Sequence, residues 1–423
     1  MYSIKNSIWI FLVILFAYNN HAQVDNLDQM IEQAILLSPK LNMLRAKKDA
    51  SFNRIEQNSN LPDPMLTLGL MNLPVNSFSF TQEPMTGKIV GLSQMFPFPG
   101  KLSAISEAAS VDTSIVRQEI NDAVNEIRKI VSIKYFKLSY LRKALLYSQE
   151  SKKLLEEIAD VVSTKYTVET ASQQNLIKVQ LEITNISEKI EDLKSKEKSL
   201  IAELNSLLLR DPNTKIETKY FDDIIFLEVS VSELDSLSRI YRPFLKGIAY
   251  AEQKARLNQN VAQKDFYPNF TLGLQYSFRE EIAATQSPLD DFFSVMVGIS
   301  LPLNYGGKVS SKVEEFVSMQ QLYSDQYSSA LQNLNSNFGA SVSQLESIEE
   351  RIKLFEEGLL PQSQLNFSSA LASYQVNEVD FINVIDAQDQ LFKIETNLYR
   401  LITDYLIQVA ELEFLVGTSL RDL

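Results

Sequence analysis

Covalent chemistry at a protein site draws on a short set of side chains, and this chain holds few of them. It has no cysteine, and its one histidine is His21. Thiolate and imidazole nucleophile systems, histidine general bases and the usual zinc ligand sets are therefore excluded beyond residue 22. What remains is carboxylate chemistry, since 53 Asp and Glu stand against 40 Lys and Arg. An exported carboxylate-dependent hydrolase is open in principle, but these acids are scattered along helical faces, as a solvated surface requires. No GxxxxGK[ST], HExxH or GxSxG is present. The net charge of −13 argues against nucleic acid, whose phosphates need a basic footprint. Methionines such as Met65, Met71, Met95 and Met296 do not recur in a ladder. They read as packing or lipid contacts rather than a copper path. The chain is expected to have no catalytic residues, no cofactor and no resident metal.

The elements that carry these residues are of two kinds. The first kind alternates. In Phe270-Thr271-Leu272-Gly273-Leu274-Gln275-Tyr276-Ser277-Phe278 and Phe293-Ser294-Val295-Met296-Val297-Gly298-Ile299-Ser300-Leu301, apolar side chains alternate with small or polar ones. A strand points successive side chains to opposite faces, so each run has one apolar face. Runs of about nine residues suit membrane-spanning barrel strands. A half-buried hairpin in a soluble sheet has the same pattern. Phe96, Phe98 and Tyr276 are candidates for an interfacial aromatic belt.

The second kind is helical and long. Residues 102–165 contain neither Pro nor Gly. Ile120, Val124, Ile127, Val131, Leu138, Leu141 and Leu145 follow four-three spacing there, with Lys134 as a polar interruption. Val179, Ile183, Ile186, Ile190, Leu193, Leu200, Leu204 and Leu207 continue it in the next segment, interrupted by Glu197. This is the repeat of helices packed along a narrow seam. Ser172 is placed to cap the second of them. Pro361 with Gly358 is expected to bend a helix over 309–374. Single helices are expected over 25–58 and 233–263.

The order then repeats. Thr67-Leu68-Gly69-Leu70 recurs as Thr271-Leu272-Gly273-Leu274, an offset of 204, and Gly100-Lys101 as Gly307-Lys308, an offset of 207. Tyr166-Thr167-Val168 recurs as Tyr374-Gln375-Val376, an offset of 208. The domain reading is a signal peptide at 1–22, a first repeat at 23–213 with strands near 64–72 and 87–97, a connector at 214–232, and a second repeat at 233–423 with strands near 268–278 and 292–302. The opening apolar run, Ile8 to Ala17, is too short to span a bilayer as a helix and suits a secretory signal.

The paired hairpins, Pro62-Asp63-Pro64 through Phe96-Pro97-Phe98-Pro99-Gly100-Lys101, and Tyr374-x-Val376 followed by Val384-Ile385-Asp386-Ala387-Gln388, resemble the TolC-type outer-membrane efflux proteins. The Phe-Pro-Phe-Pro-Gly-Lys turn is more similar to the branch serving heavy-metal and multidrug resistance-nodulation-division (RND) pumps. The resemblance implies a mainly helical fold with membrane strands. Three chains would build a twelve-stranded outer-membrane β-barrel continued by a periplasmic α-helical barrel. It implies a homotrimer in outer-membrane lipid, acting as the exit duct of a tripartite efflux pump with a periplasmic adaptor and an inner-membrane RND-type pump. It also implies that the helix–helix turns form a periplasmic tip where the adaptor docks: Tyr166, Thr167, Val168, Glu169 and Ser172 in one repeat, and Tyr374, Gln375, Val376, Asn377 and Glu378 in the other. A pore constriction would fall at Asp380, Asn383 and Asp386. Asn383 stands where Asp is common in the family and Asn377 where Gly is usual. The alternatives are a periplasmic coiled-coil adaptor or scaffold, and an outer-membrane component of a type I secretion system.

Overall fold

The computed structural model describes residues 26–169, 171–222 and 224–420. The expected signal at 1–22 lies outside the described residues. The elements run α1 (Leu27–Leu37), α2 (Pro39–Ser59), β1 (Met65–Met71), β2 (Gly87–Phe96), α3 (Lys101–Thr167), α4 (Gln173–Leu207), α5 (Val231–Tyr241), α6 (Pro243–Gln263), β3 (Phe270–Phe278), β4 (Phe292–Ile299), α7 (Lys308–Leu354), α8 (Leu360–Gln375) and α9 (Phe381–Val416). A π-helical turn, Phe355–Leu359, joins α7 to α8 just before Pro361. Among the described residues no helix is long and apolar enough to cross a membrane. Two compact units are distinguished: one of residues up to 34, 134–224 and 358–403, the other of 35–133, 225–357 and 404 onward.

The helix breaks have local causes. Ser38 (φ −55°, ψ 118°) and Arg242 (φ −66°, ψ 113°) each precede a proline and are extended, because the proline ring disfavours helical backbone at the residue before it. The single helices expected over 25–58 and 233–263 are therefore each two. Ser38 turns its break into a cap, accepting from the Leu41 amide at 3.3 Å.

In the first unit, Val179, Ile186, Ile190, Leu193 and Leu204 of the α4 seam are buried. The two polar interruptions are paired rather than stranded. Lys134 pairs with Glu203, and Glu197 accepts from Arg142 Nε at 2.8 Å. The connector after α4 lacks regular structure, so other groups must satisfy its backbone. Tyr135 Oη accepts from the Lys219 amide at 3.0 Å, Tyr399 Oη from the Phe221 amide at 2.8 Å, and Ser139 Oγ donates to the Lys219 carbonyl at 2.7 Å. Glu395, on α9, forms no ion pair among the described residues. Burial raises the pKa of Glu395 above its ordinary 4.5, and Glu150 adds to it. Burial and nearby acids, Glu395 first, push Tyr147 up to about 12. A carboxyl whose folded pKa is raised penalises the fold once ionised, so the penalty is absent below about pH 4 and grows as pH rises through the folded value. Glu395→Gln is expected to raise the melting temperature at pH 8, with the gain vanishing toward pH 4; a gain independent of pH contradicts this cause.

The second unit holds the sheet, antiparallel and ordered β1-β2-β3-β4. Its register decides what each face is made of. Leu66 lies opposite Leu92, Leu92 opposite Leu274, and Leu274 opposite Val295. Leu68, Val90, Tyr276 and Phe293 form the next row on the same face, and Phe96, Phe270 and Ile299 a row nearer the helices. That face is apolar across all four strands except at Gln94 and Lys88. The opposite face carries Thr67, Gly91, Ser93, Gly273, Gln275 and Ser294. The four methionines fall on this second face too: Met65 opposite Ser93, Met71 opposite Gly87, Met95 opposite Thr271 and Met296 opposite Gly273. Each shares strand parity with Thr, Gly or Ser, away from the apolar face. Met71 Sδ accepts from Gln275 Nε2 at 3.9 Å. The loops at the far end lean on each other, with the Ala283 amide donating to the Thr81 carbonyl at 2.9 Å and Arg279 Nη1 to the Pro84 carbonyl at 3.1 Å.

Candidate functional site

Among the described residues no group of three or more His, Cys, Asp or Glu is placed to hold a metal. The sheet and the helix–helix turns are what the fold offers for function. At the sheet, β1 and β4 are paired on one side only. Each leaves a row of amides and carbonyls open, and four strands cannot close on themselves. Leu68, Val295 and Val297, on these two edge strands, are 70, 60 and 70 % exposed in the single chain.

At the turns, α3 ends at Thr167, with Tyr166 in its last turn and Val168 just beyond it. Glu169 reverses the chain with φ 60°, and Ser172 caps α4 by accepting from the Asn175 amide at 3.3 Å. In the second repeat Gln375 ends α8, Val376 follows, and Asn377 reverses the chain with the same φ of 60°. Left-handed backbone is more tolerable for Asn than for most side chains, so Asn377 does the work usually given to glycine. Both turn valines are exposed, Val168 at 63 % and Val376 at 65 %. Gln375 and Glu378 are exposed as well.

Tyr374 differs from its neighbours. It is buried in a cluster with Leu155, Ile158, Val162, Val179 and Phe381, its ring 5.5 Å from that of Phe381. The group that ties the two turns together is one sequence reasoning missed. Lys165 Nζ donates to the Tyr374 carbonyl at 2.7 Å, the Gln375 carbonyl at 3.2 Å and Asn377 Oδ1 at 2.5 Å, and lies 4.5 Å above the Tyr374 ring. One ammonium thereby satisfies carbonyls left open at the end of α8. Its position next to Tyr166 was the only hint in the sequence. Replacing Lys165 by Met should speed amide hydrogen exchange at 376–379 by roughly tenfold or more, the worth of a charge-assisted hydrogen bond. Exchange at the wild-type rate would show that the clasp does not hold the turn.

Asp380, Asn383 and Asp386 recur every third residue at the start of α9 and are all exposed. Phe381, Val384, Ile385 and Ala387 occupy the buried side. The structure thus brings the three polar groups onto one free stripe, separate from the turn residues packed against Lys165.

The comparisons with known proteins follow this geometry. The outer membrane efflux protein family model matches residues 236–418. Outer membrane protein TolC of Escherichia coli (strain K12) is 21 % identical over 443 residues, covering 96 % of this chain and 84 % of that protein, and so extends the match across the first repeat. The second repeat thus matches the outer membrane efflux protein family, and the chain as a whole is similar to outer membrane proteins of the TolC kind. TolC of Salmonella enteritidis is 20 % identical over the same share of each chain. Among solved structures, VceC of Vibrio cholerae superposes with a TM-score of 0.75 at 16 % identity, covering 93 % of this chain and 96 % of that one. CusC gives 0.77 at 17 %, covering 93 % and 92 %. These efflux proteins share the mixed fold of long helices and a small sheet. Members of the family are channels rather than enzymes.

Proposed function

We infer that this protein is an outer-membrane exit duct, passively conducting substrates delivered by an inner-membrane pump of the RND type and a periplasmic adaptor. One observation carries the reading: a four-stranded sheet, apolar on one face from strand to strand, with both edges unpaired. Open edges in lipid leave backbone groups without partners at several kcal/mol each. Three copies supply twelve strands and close the barrel, with the Thr, Gly, Gln and Ser face inward. No covalent step is needed for conduction.

The turns at Tyr166–Ser172 and Tyr374–Glu378 form the periplasmic tip. Exposed Val168 and Val376, in equivalent places, offer apolar contacts for the adaptor. Asp380, Asn383 and Asp386 line the constriction above it, where Asn383 makes the anionic ring weaker than an all-Asp version. Asp386→Asn should relieve divalent-cation block in planar bilayers several-fold, since one carboxylate per subunit is lost; unchanged block would remove Asp386 from the pore. The function itself is tested by deleting the gene and screening against metals and drugs. Greater sensitivity, restored by the wild-type chain, is expected. Undiminished resistance to every compound, with the purified protein failing to conduct, would overturn it.

A further inference from the structure

The duct reading makes the junction between sheet and helices a membrane boundary, and an unusual set of groups gathers there. A cavity of about 470 Å³ lies among Lys101, Asp265, Asn269, Leu303 and Lys308. Asp265 is the one carboxylate lining it, and it is already committed. It pairs with Lys101 at 2.6 Å and with Lys312, also at the cavity, at 2.7 Å. Lys308 has no ion pair or side-chain hydrogen bond among the described residues. Three lysines therefore meet one acid, in a chain whose overall charge is −13. The cavity also has an apolar flank. Leu301 continues the alternation of the apolar face two residues past Ile299. Leu301, Leu303 and Tyr305 are 72, 65 and 84 % exposed. Surplus positive charge beside bare apolar surface matches a molecule with an anionic head and a hydrocarbon body.

We propose that this cavity seats the phosphate of an anionic phospholipid of the periplasmic leaflet, paired with Lys308 and Lys312, with its acyl chains along Leu301, Leu303 and the apolar sheet face. Charge complementarity selects an anionic head over a zwitterionic one, which brings its own cation. The continuity of Leu301 with the face that meets lipid selects a phospholipid over a free anion. The assignment rests on the sheet being the membrane-spanning part.

The test uses the purified, delipidated trimer, exposed to dioleoyl phosphatidylglycerol or dioleoyl phosphatidylcholine at equal concentration, with bound lipid counted by native mass spectrometry. Each lysine near an anionic surface is worth about fivefold in affinity. Wild type should retain phosphatidylglycerol preferentially, and Lys308→Gln with Lys312→Gln should weaken it by roughly twentyfold. Lys88→Gln, at the far end of the same face, should leave it unchanged. Equal retention of the two lipids, or full retention by the double variant, overturns the proposal. So does displacement by excess inorganic phosphate, which makes the cavity a free-anion pocket. Dissociation of the double variant into monomers also overturns it, since the lysines would then serve a neighbouring subunit. Any of these results in a protein that still extracts from the outer membrane and conducts leaves the duct reading standing. A protein that needs no detergent ends both.

Discussion

Leu274→Arg should abolish assembled channel in the outer membrane, whereas Gln275→Arg one residue away should leave it. Leu274 sits in the row Leu66–Leu92–Leu274–Val295, midway along the strands. A charged side chain on the lipid face of a barrel costs about 2–4 kcal/mol at the bilayer midplane. Three copies raise that to roughly 6–12 kcal/mol per trimer, comparable with the whole stability of an ordinary domain. Gln275 belongs to the opposite face, in the row Thr67–Gly91–Gln275–Ser294. An arginine there stands in water and changes what passes rather than what assembles, shifting selectivity toward anions. Outer-membrane fractions on non-denaturing gels, followed by bilayer conductance, separate the two outcomes. If Leu274→Arg assembles normally, or Gln275→Arg is the more damaging, the assignment of faces is wrong.

The second large effect lies at Arg242, between α5 and α6. Its side chain is 8 % exposed; the guanidinium donates to the Phe414 carbonyl, stacks 4.1 Å above the Phe414 ring and lies 3.4 Å from Asp122 Oδ1. The fit is close, because a Cβ on Gly417 (φ +92°) would stand 2.8 Å from Arg242 Cα. Burial raises the pKa of Asp122 even though Arg242 pulls it down, and burial lowers that of Arg242 against the pull of Asp122. The pair is therefore held together by mutual need rather than by net gain. Arg242→Met strands a partly buried carboxylate, at a cost of about 3–5 kcal/mol. Combining it with Asp122→Asn should recover most of that loss. The deficit of the single variant should also shrink on acidification, as Asp122 takes up a proton and no longer needs a cation. Thermal melts of the four proteins at pH 8 and pH 4.5 give the cycle. Additive losses, with no recovery in the double variant, would mean that Arg242 acts by packing alone.

How much of this was legible depended on range along the chain. Alternation in 270–278 and the seam from Val179 to Leu204 are local patterns, and strands and helices follow them. The interruptions at Lys134 and Glu197 looked like flaws in a seam. Their partners, Glu203 and Arg142, are 69 and 55 residues away and invisible to periodicity. The prolines at 39 and 243 are readable as helix breaks, since each disfavours helical backbone at the residue before it, and the single helices expected over 25–58 and 233–263 left that signal unused. Faces of individual strands could be read, and parity with Thr67 and Gly69 puts Met65 and Met71 on the second face, a distinction that hydrophobicity alone leaves open between packing and lipid contact. The clasp of Lys165 on Tyr374 could not be read, since it joins residues 209 apart through backbone carbonyls that carry no sequence signal.

Closure of the sheet by sister chains is open to direct measurement, because the protein has no cysteine of its own. Thr67→Cys and Ser294→Cys place one thiol on each open edge strand, in a single row of the inward face. Within one chain they are three strand spacings apart, roughly 14 Å, beyond a linker of about 8 Å. Treating outer membranes with such a linker should give covalent dimers and trimers, with the series ending at three. Monomer alone, or a ladder running past three, would contradict a barrel completed by three chains.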